Sequence, residues 1–413
     1  MAGTDRPQSS WWLPSPAAEG APRAGRLSAV ATGIAGFVFA ICAIGNGMDR
    51  VVEDRPELAS SVPSLFASRS LSARAFERIE ARQPLAALTL AQSRVRHEPM
   101  EPDSTAALGA ARLLSGDQQG AYDAFRVAAQ FGWRTVPTQL YWLQQATALK
   151  DYKSAAERFD ALARQSPSWL RERPLIDPLE RDPRGRAELV ARLAERPGWL
   201  ENYASDMTDL PRDVVELRYQ VLMGLSAKGI QVGCHTIAPA TSQLAQLGSM
   251  VDAAQLWRAH CPSATGKGAI NDGSFAAVTA DPALAPFAWN LSVSGDVDIA
   301  FEPADHGQKL VITSTAAFDR PVASQLLAAT PGPYILRWQA TDQNARPSDR
   351  ILAALSCGPT EPVKLSAATL APDGRWTLPL SIAPACAGEW LRFSIAAGSG
   401  SVSLSDVTLE PRR

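Results

Sequence analysis

The spacing of apolar residues changes twice along this chain. Residues 27–45, LSAVATGIAGFVFAICAIG, form an apolar run with no charge in it. From about Ser60 to Ala264 apolar positions recur every three or four residues, which predicts helices. From Ile270 onward the period falls to two. The runs WNLSV, KLVITS, YILRWQA, ILAALSC, RWTLPLSI, EWLRFSIAA and SVSLSDVTLE, parted by turn clusters such as ADHG, TPG and APDG, predict short strands of an antiparallel, jelly-roll-like sandwich. The expected architecture is therefore multidomain, α then β. It comprises a disordered tail over 1–26, one transmembrane helix over 27–45, helical repeats over 60–167, a further helical region over 168–264 and a β-sandwich over 270–411. Within the helical part, SWLRERPLIDPLERDPRGR is rich in proline and charge and reads as a linker or irregular turn, with helices resuming at about Arg186.

At about 1.5 Å per residue, nineteen residues just span a hydrocarbon core of roughly 30 Å. A cleaved signal peptide is the alternative. Against it stand the acidic residues Asp5 and Glu19 upstream and an apolar run longer than a signal core. Arg and Lys near the two ends nearly balance, so charge alone does not set orientation. Cysteines add to the picture. Apart from Cys42 inside the span, Cys234 falls with Cys261, and Cys357 with Cys386. Locally paired cysteines fit disulfides in an oxidising compartment, which puts the bulk of the chain in the periplasm behind a short cytoplasmic tail; four free buried thiols are the alternative.

Compared with itself at an offset of 34, the helical region repeats: Asp117 matches Asp151, Ala121 matches Ala155, and Phe125 matches Phe159. A small residue followed four later by a ring lies on one helical face, where the alanine admits a neighbouring helix and the ring fills the adjoining gap. This register, with Leu108-Gly109 in a first helix and Gly116-Asp117 at the turn, resembles the tetratricopeptide repeat. The copy before it has Ala91 in place of the ring, and the copy after it has Trp142-Leu143 in place of Leu-Gly. The resemblance covers roughly Ser72 to Pro167 and implies a superhelical scaffold that binds a protein partner. Helical pairs packed only for stability are the alternative.

Composition narrows the function. With Lys+Arg 40, Asp+Glu 42 and a net charge of −2, no basic field invites nucleic acid as a partner. The histidines at 97, 235, 260 and 306 sit in no nucleophile-elbow context, and no phosphate loop, dinucleotide fingerprint or zinc spacing occurs, so no catalytic residue is assigned. The carboxylates Asp296, Asp298, Glu302 and Asp305 fall in stretches that read as surface turns.

The β region opens on Asn271-Asp272-Gly273-Ser274-Phe275 and closes on LSDVTLEP. Both ends resemble carbohydrate-binding-module-like sandwiches. Where that family carries a glutamate that helps hold structural calcium, this chain has Ala276, which leaves Asn271, Asp272 and Asp406 as a poor calcium set; no cofactor is expected. Strand parity sorts the tryptophans. Trp289 shares a face with Leu291 and Val293, Trp338 with Tyr334 and Leu336, and Trp376 with Leu378, Leu380 and Ile382, all read as core. Trp390 instead shares its face with Arg392 and Ser394, so Trp390 and Arg392 are the candidate glycan contact; Trp390 covering a disulfide at Cys386 is the alternative. The order of anchor, helical array, RPGW helix and sandwich resembles proteins associated with bacterial exopolysaccharide biosynthesis and export. That implies a non-enzymatic, inner-membrane accessory whose array holds a protein and whose sandwich touches polysaccharide or protein. An envelope scaffold that recruits cell-wall or division proteins without glycan contact, and an enzyme with its site hidden in the sandwich, are the competing readings.

Overall fold

The computed structural model describes residues 26–412 apart from 53, 262–268, 277, 279–286, 328, 359–364, 366–367 and 384–387. Residues 1–25 of the expected 1–26 tail and Cys386 lie outside the described residues, and Arg26 already belongs to the first helix. Helices come first: α1 Arg26–Val51, α2 Arg69–Glu80, α3 Pro84–His97, α4 Pro102–Leu114, α5 Gln118–Ala128, α6 Val136–Ala148, α7 Tyr152–Gln165, α8 Arg173–Arg181, α9 Pro183–Leu193, α10 Leu200–Ser205, α11 Arg212–Ala227, α12 Cys234–Gln246 and α13 Met250–His260. Strands come next: β1 Asn290–Leu291, β2 Val297–Pro303, β3 Gln308–Ser314, β4 Arg320–Leu327, β5 Gly332–Asp342, β6 Ile351–Ser356, β7 Thr369–Leu370, β8 Trp376–Ile382, β9 Glu389–Ile395 and β10 Gly400–Pro411. The chain forms two compact units, one ending at Pro137 and one beginning at Thr138.

In the first unit, the stretch Val30–Val51 of α1 is long and apolar enough to cross a membrane, and only 6% of its most apolar window is buried. Its last turns are fixed to the next helices. The Phe66 ring lies so close to Gly45 that a Cβ there would run into it. Asp49 then caps α2, its carboxylate accepting the N–H groups of Arg69 (2.8 Å) and Ser70 (2.9 Å), which a helix N-terminus otherwise leaves unbonded. Helices α2 to α4 pack around small residues, with Ala75, Ala87, Ala91, Ala107 and Ala111 in one buried cluster. Arg94, 2% exposed, crosses to Ser72 (3.0 Å) and Ser68 (2.6 Å) and pairs with Glu98. Partial burial pushes the Glu98 carboxyl up, but hydrogen bonds from Ser68 and Arg94 outweigh it and hold the group below its ordinary range.

The 34-residue register has a local cause. Asp117 is the N-cap of α5 and accepts the Gly120 N–H; Asp151 is the N-cap of α7 and accepts the Ser154 N–H. Each cap starts a helix whose alanine and ring are buried: Ala121 and Phe125 in α5, Ala155 and Phe159 in α7. Gly109 of α4 faces the Phe125 ring, and a Cβ there would meet it at 2.9 Å. The glycine thus sets how closely α4 and α5 approach.

In the second unit, residues 167–184 correct the linker expectation. They form a 3-10 turn, Pro167–Arg171, then α8 and the start of α9. Pro174 and Pro183 occupy first-turn positions, where a missing N–H costs nothing and the fixed φ favours the helix. Pro178 lies inside α8 and leaves one helical hydrogen bond unmade without breaking the helix, and the helix is tied down by a buried pair: Glu180 (0% exposed) accepts from Arg218 Nε (1% exposed) at 2.9 Å and from Arg173. Arg218 also donates to the Asp206 carbonyl and stacks over the Tyr203 ring at 4.8 Å. Cys234 and Cys261 form a disulfide that closes the α12–α13 hairpin, as the sequence suggested. Cys357 is also disulfide-bonded.

The strands form two antiparallel sheets, ordered β1-β4-β9-β6 and β2-β3-β10-β5-β8-β7. Strands distant in sequence pair in each sheet, β4 with β9 and β3 with β10, as in a jelly roll. Between the sheets lie Phe275, Trp289, Trp338, Phe393 and their aliphatic neighbours. Two strands depart from the sequence reading. The carboxylate-bearing stretch taken for turns contains β2, with Asp298 and Glu302 on it. No alternation announced β4 because its two faces are both covered: Ala323 and Leu326 point opposite ways and are 1% and 3% exposed.

Candidate functional site

The opening segment of the β region is bound to its closing strand. Gly273 accepts the Val407 N–H at 2.8 Å, so close that any Cβ on Gly273 would strike the Val407 carbonyl. Ser274 accepts the Gln308 N–H, and the Asn271 backbone exchanges hydrogen bonds with the buried Gln325 amide at 2.9 and 2.7 Å. Asp272 adopts φ +53°, its Oδ1 accepts the Ala276 N–H, and its carbonyl accepts Trp289 Nε1. On β10, Asp406 sits at φ +49° in a break of the ladder between Ser405 and Thr408. These residues do not fit calcium. The Asp272 carboxylate is occupied in its own turn, the Asp406 carbonyl takes the Arg375 guanidinium, and among the described residues no three of His, Cys, Asp and Glu gather. The ≈ 700 Å³ cleft beside Gly273, His306, Arg375 and Asp406 therefore has a cation of its own in its wall.

Parity placed the three core tryptophans and missed one of their aliphatic neighbours. Trp289 and Trp338 are 5% and 0% exposed, and Trp376 is half-buried against the same core. Val293, expected on the core face with Trp289, is 66% exposed because β1 ends at Leu291 and the chain turns away. On β9, Leu391, Phe393 and Ile395 enter the core, and Trp390 and Arg392 occupy the other face, both half-buried. Trp390 stands opposite Leu326 of β4 and Ser356 of β6; Arg392 stands opposite Ser324 and Ala354. Part of this face is covered by α13, since a Cβ on Gly388 would collide with Met250 and meet Leu326 at 3.0 Å. Trp257 of α13 lies 6.4 Å from the Phe287 ring.

The exposed ring is Phe318, at 72%, alone among the Phe, Tyr and Trp side chains described after Ile270. It lies in the β3–β4 loop, where parity has no meaning, so the sequence offered only an apolar residue among turn formers. The loop is held on both sides. Ala316 accepts the Gly398 N–H (2.9 Å), Asp319 accepts the Ala397 N–H (3.1 Å), and Arg320 pairs with Asp296 at 2.8 Å. Hydrogen bonds from Ser294, then from Arg320, hold the Asp296 carboxyl below its ordinary range, so this tie persists into mild acid. Pro321 and Val293 are also exposed; beside them Leu291 pairs with Ala323, and Ser292 donates to the Val322 carbonyl. By contrast, the outer face of the six-stranded sheet carries hydroxyl pairs, Thr313 with Ser401 and Thr341 with Ser403.

No family model matches this chain, and no curated protein matches it. Among solved structures it is similar to the enzymatically active domain of tailspike protein 4 of bacteriophage CBA120, with 12% identity over 35% of this chain and 21% of that one, at a TM-score of 0.25. It is also similar to a Bacteroides thetaiotaomicron VPI-5482 protein whose name proposes sugar binding, with 14% identity over 31% of this chain and 89% of that one, at a TM-score of 0.21. Scores this low carry no argument about what this chain does.

Proposed function

We propose that this chain is a non-enzymatic, single-pass accessory of the bacterial inner membrane that serves exopolysaccharide assembly or secretion from the periplasmic side. The observation that supports its membrane placement is α1: an apolar helix whose most apolar window is 6% buried exposes apolar surface that lipid would cover. The Cys234–Cys261 disulfide supports an oxidising compartment for the residues beyond the span. The helix pairs, with buried Ala121, Phe125, Ala155 and Phe159, act as a tetratricopeptide-like array that docks a protein. The sandwich contacts glycan through Phe318, because an exposed ring on a pinned loop offers a stacking face that needs no reordering. Trp390 and Arg392, half-buried on the β9 outer face, are the secondary contact.

Retention of the full-length protein, in detergent, on immobilised exopolysaccharides tests this. Phe318→Ala should weaken retention about tenfold, near 1.4 kcal/mol, with Trp390→Ala the smaller loss. A second reading has its own support. The hydroxyl-lined outer face of the larger sheet offers sugars no ring, which favours an envelope scaffold without glycan contact. Failure to bind any polysaccharide, together with capture of defined envelope proteins, would replace the first reading by this one.

A further inference from the structure

A second recess lies within the second unit, where the sandwich end meets α13. It encloses ≈ 520 Å³, and its walls include Met250, Leu327, Thr330, Ile382 and Glu389. Glu389 is 5% exposed and sits on the face of β9 that parity assigns to the core, in line with Leu391 and Phe393. Its Oε1 accepts the Ala383 N–H at 2.5 Å. Among the described residues no Lys, Arg or His makes an ion pair with it. Asp252 and Arg258 also line the recess, Arg258 exposed. The Glu389 Oε1 is taken by Ala383, and among the described residues no cation meets the carboxylate, so a cation entering the recess would find a charge already largely removed from bulk water. Native chains retain such groups where something else completes them.

We infer that this recess binds a basic side chain of a partner polypeptide, its aliphatic stem against Met250, Leu327 and Ile382 and its ammonium or guanidinium on Glu389. The lining decides between cationic ligands. An amino sugar would look for an aromatic face, and no ring lines this recess. A lysine or arginine stem needs only aliphatic walls with a carboxylate at their end. The site requires neither the membrane anchor nor glycan contact, so it goes beyond the function proposed above.

Saturation-transfer NMR on the full-length protein in detergent, with Nα-acetyl-lysine methylamide as the probe, tests the inference. The lysine derivative should give a signal that the norleucine analogue does not, and Glu389→Gln should weaken it at least tenfold. The E389Q variant keeps the acceptor for Ala383 and loses the buried charge, so its Tm should stay level or rise. Thr330→Trp, an exposed position at the recess, should block the probe with the carboxylate intact. Equal signals from lysine and norleucine, an unchanged signal in both variants, or stronger competition by glucosamine than by the lysine derivative would each overturn it.

Discussion

The helix pairs of the first unit and the sandwich of the second bury their apolar surface in opposite ways. Alanines are the fully buried members of the α2–α4 cluster, with larger side chains such as Phe76 and Ile79 only partly buried around them, whereas Trp289, Trp338, Phe275 and Phe393 meet inside the sandwich. At roughly 25 cal/mol per Å², an alanine contributes little by area. Helices packed on alanine are therefore held by how closely they approach and by how well their ends are capped. Sheets packed on rings are held by volume. The first arrangement yields when a methyl is added, the second when a ring is removed.

The largest effect that could break this contrast is on the ring side. Phe393 lies 5.6 Å from Trp338 and 5.9 Å from Trp289, ring centre to ring centre. Phe393→Ala should cost about 3–5 kcal/mol, read from urea unfolding followed by tryptophan fluorescence. A loss below about 1 kcal/mol would mean the interior collapses onto the gap, and volume would not be what holds the sheets. Next comes the disulfide of α12–α13, whose cysteines are 27 residues apart. Replacing both by serine should lower stability by about 3–4 kcal/mol through the freed unfolded chain; an unchanged thermal midpoint would show a hairpin that closes without its staple.

On the alanine side, Gly109→Ala should destabilise the first unit by about 1–3 kcal/mol, since the added methyl meets Phe125 at 2.9 Å. Ordinary helix propensity predicts a gain of about 1 kcal/mol for this change, so a stabilised variant would disprove the close approach. Smaller still, Asp117→Ala and Asp151→Ala should each cost about 1 kcal/mol, seen as faster amide exchange confined to the first turns of α5 and α7. Equal losses would show that the repeat register is carried by its caps.

The smallest effect is a pH slope. Burial holds the His260 imidazole below its ordinary value of 6.5, even though Nε2 bonds the Leu222 carbonyl. The unfolded chain therefore binds this proton before the folded one does. Stability from the neutral ring is complete above pH 6.5 and declines as the pH falls below it towards the lowered folded value. Thermal midpoints measured from pH 7 to 5 should fall more steeply in the natural protein than in His260→Gln. A steeper fall in the variant would reverse the sign.

Much of this was legible in the sequence because its causes are local. Caps at Asp117 and Asp151 and the Ala–Phe spacing repeat within single helices, and alternation marks strands with one covered face. What the sequence hid had non-local causes. The β4 run loses its alternation because Leu326, beside Met250 of α13, is buried on one side while Ala323 is buried in the sandwich on the other. Prolines 174 and 183 looked like breakers because their position within a helix is invisible until the helix is known. Phe318 lies in a loop, where no period assigns a direction. Glu389 was within reach: the same parity that sends Trp390 outward sends Glu389 inward, and a charge facing a core is itself a signal.

The cap that Asp49 places on α2 has a mechanical meaning. A chain that leaves a bilayer through a flexible linker hangs from it like a weight on a string. Here the last turns of α1 carry both the Gly45 seat for Phe66 and the carboxylate that begins α2. On the tethered reading there is no string: tilting or rotating the span turns the first helix pair with it, and a load on that pair is felt in the lipid.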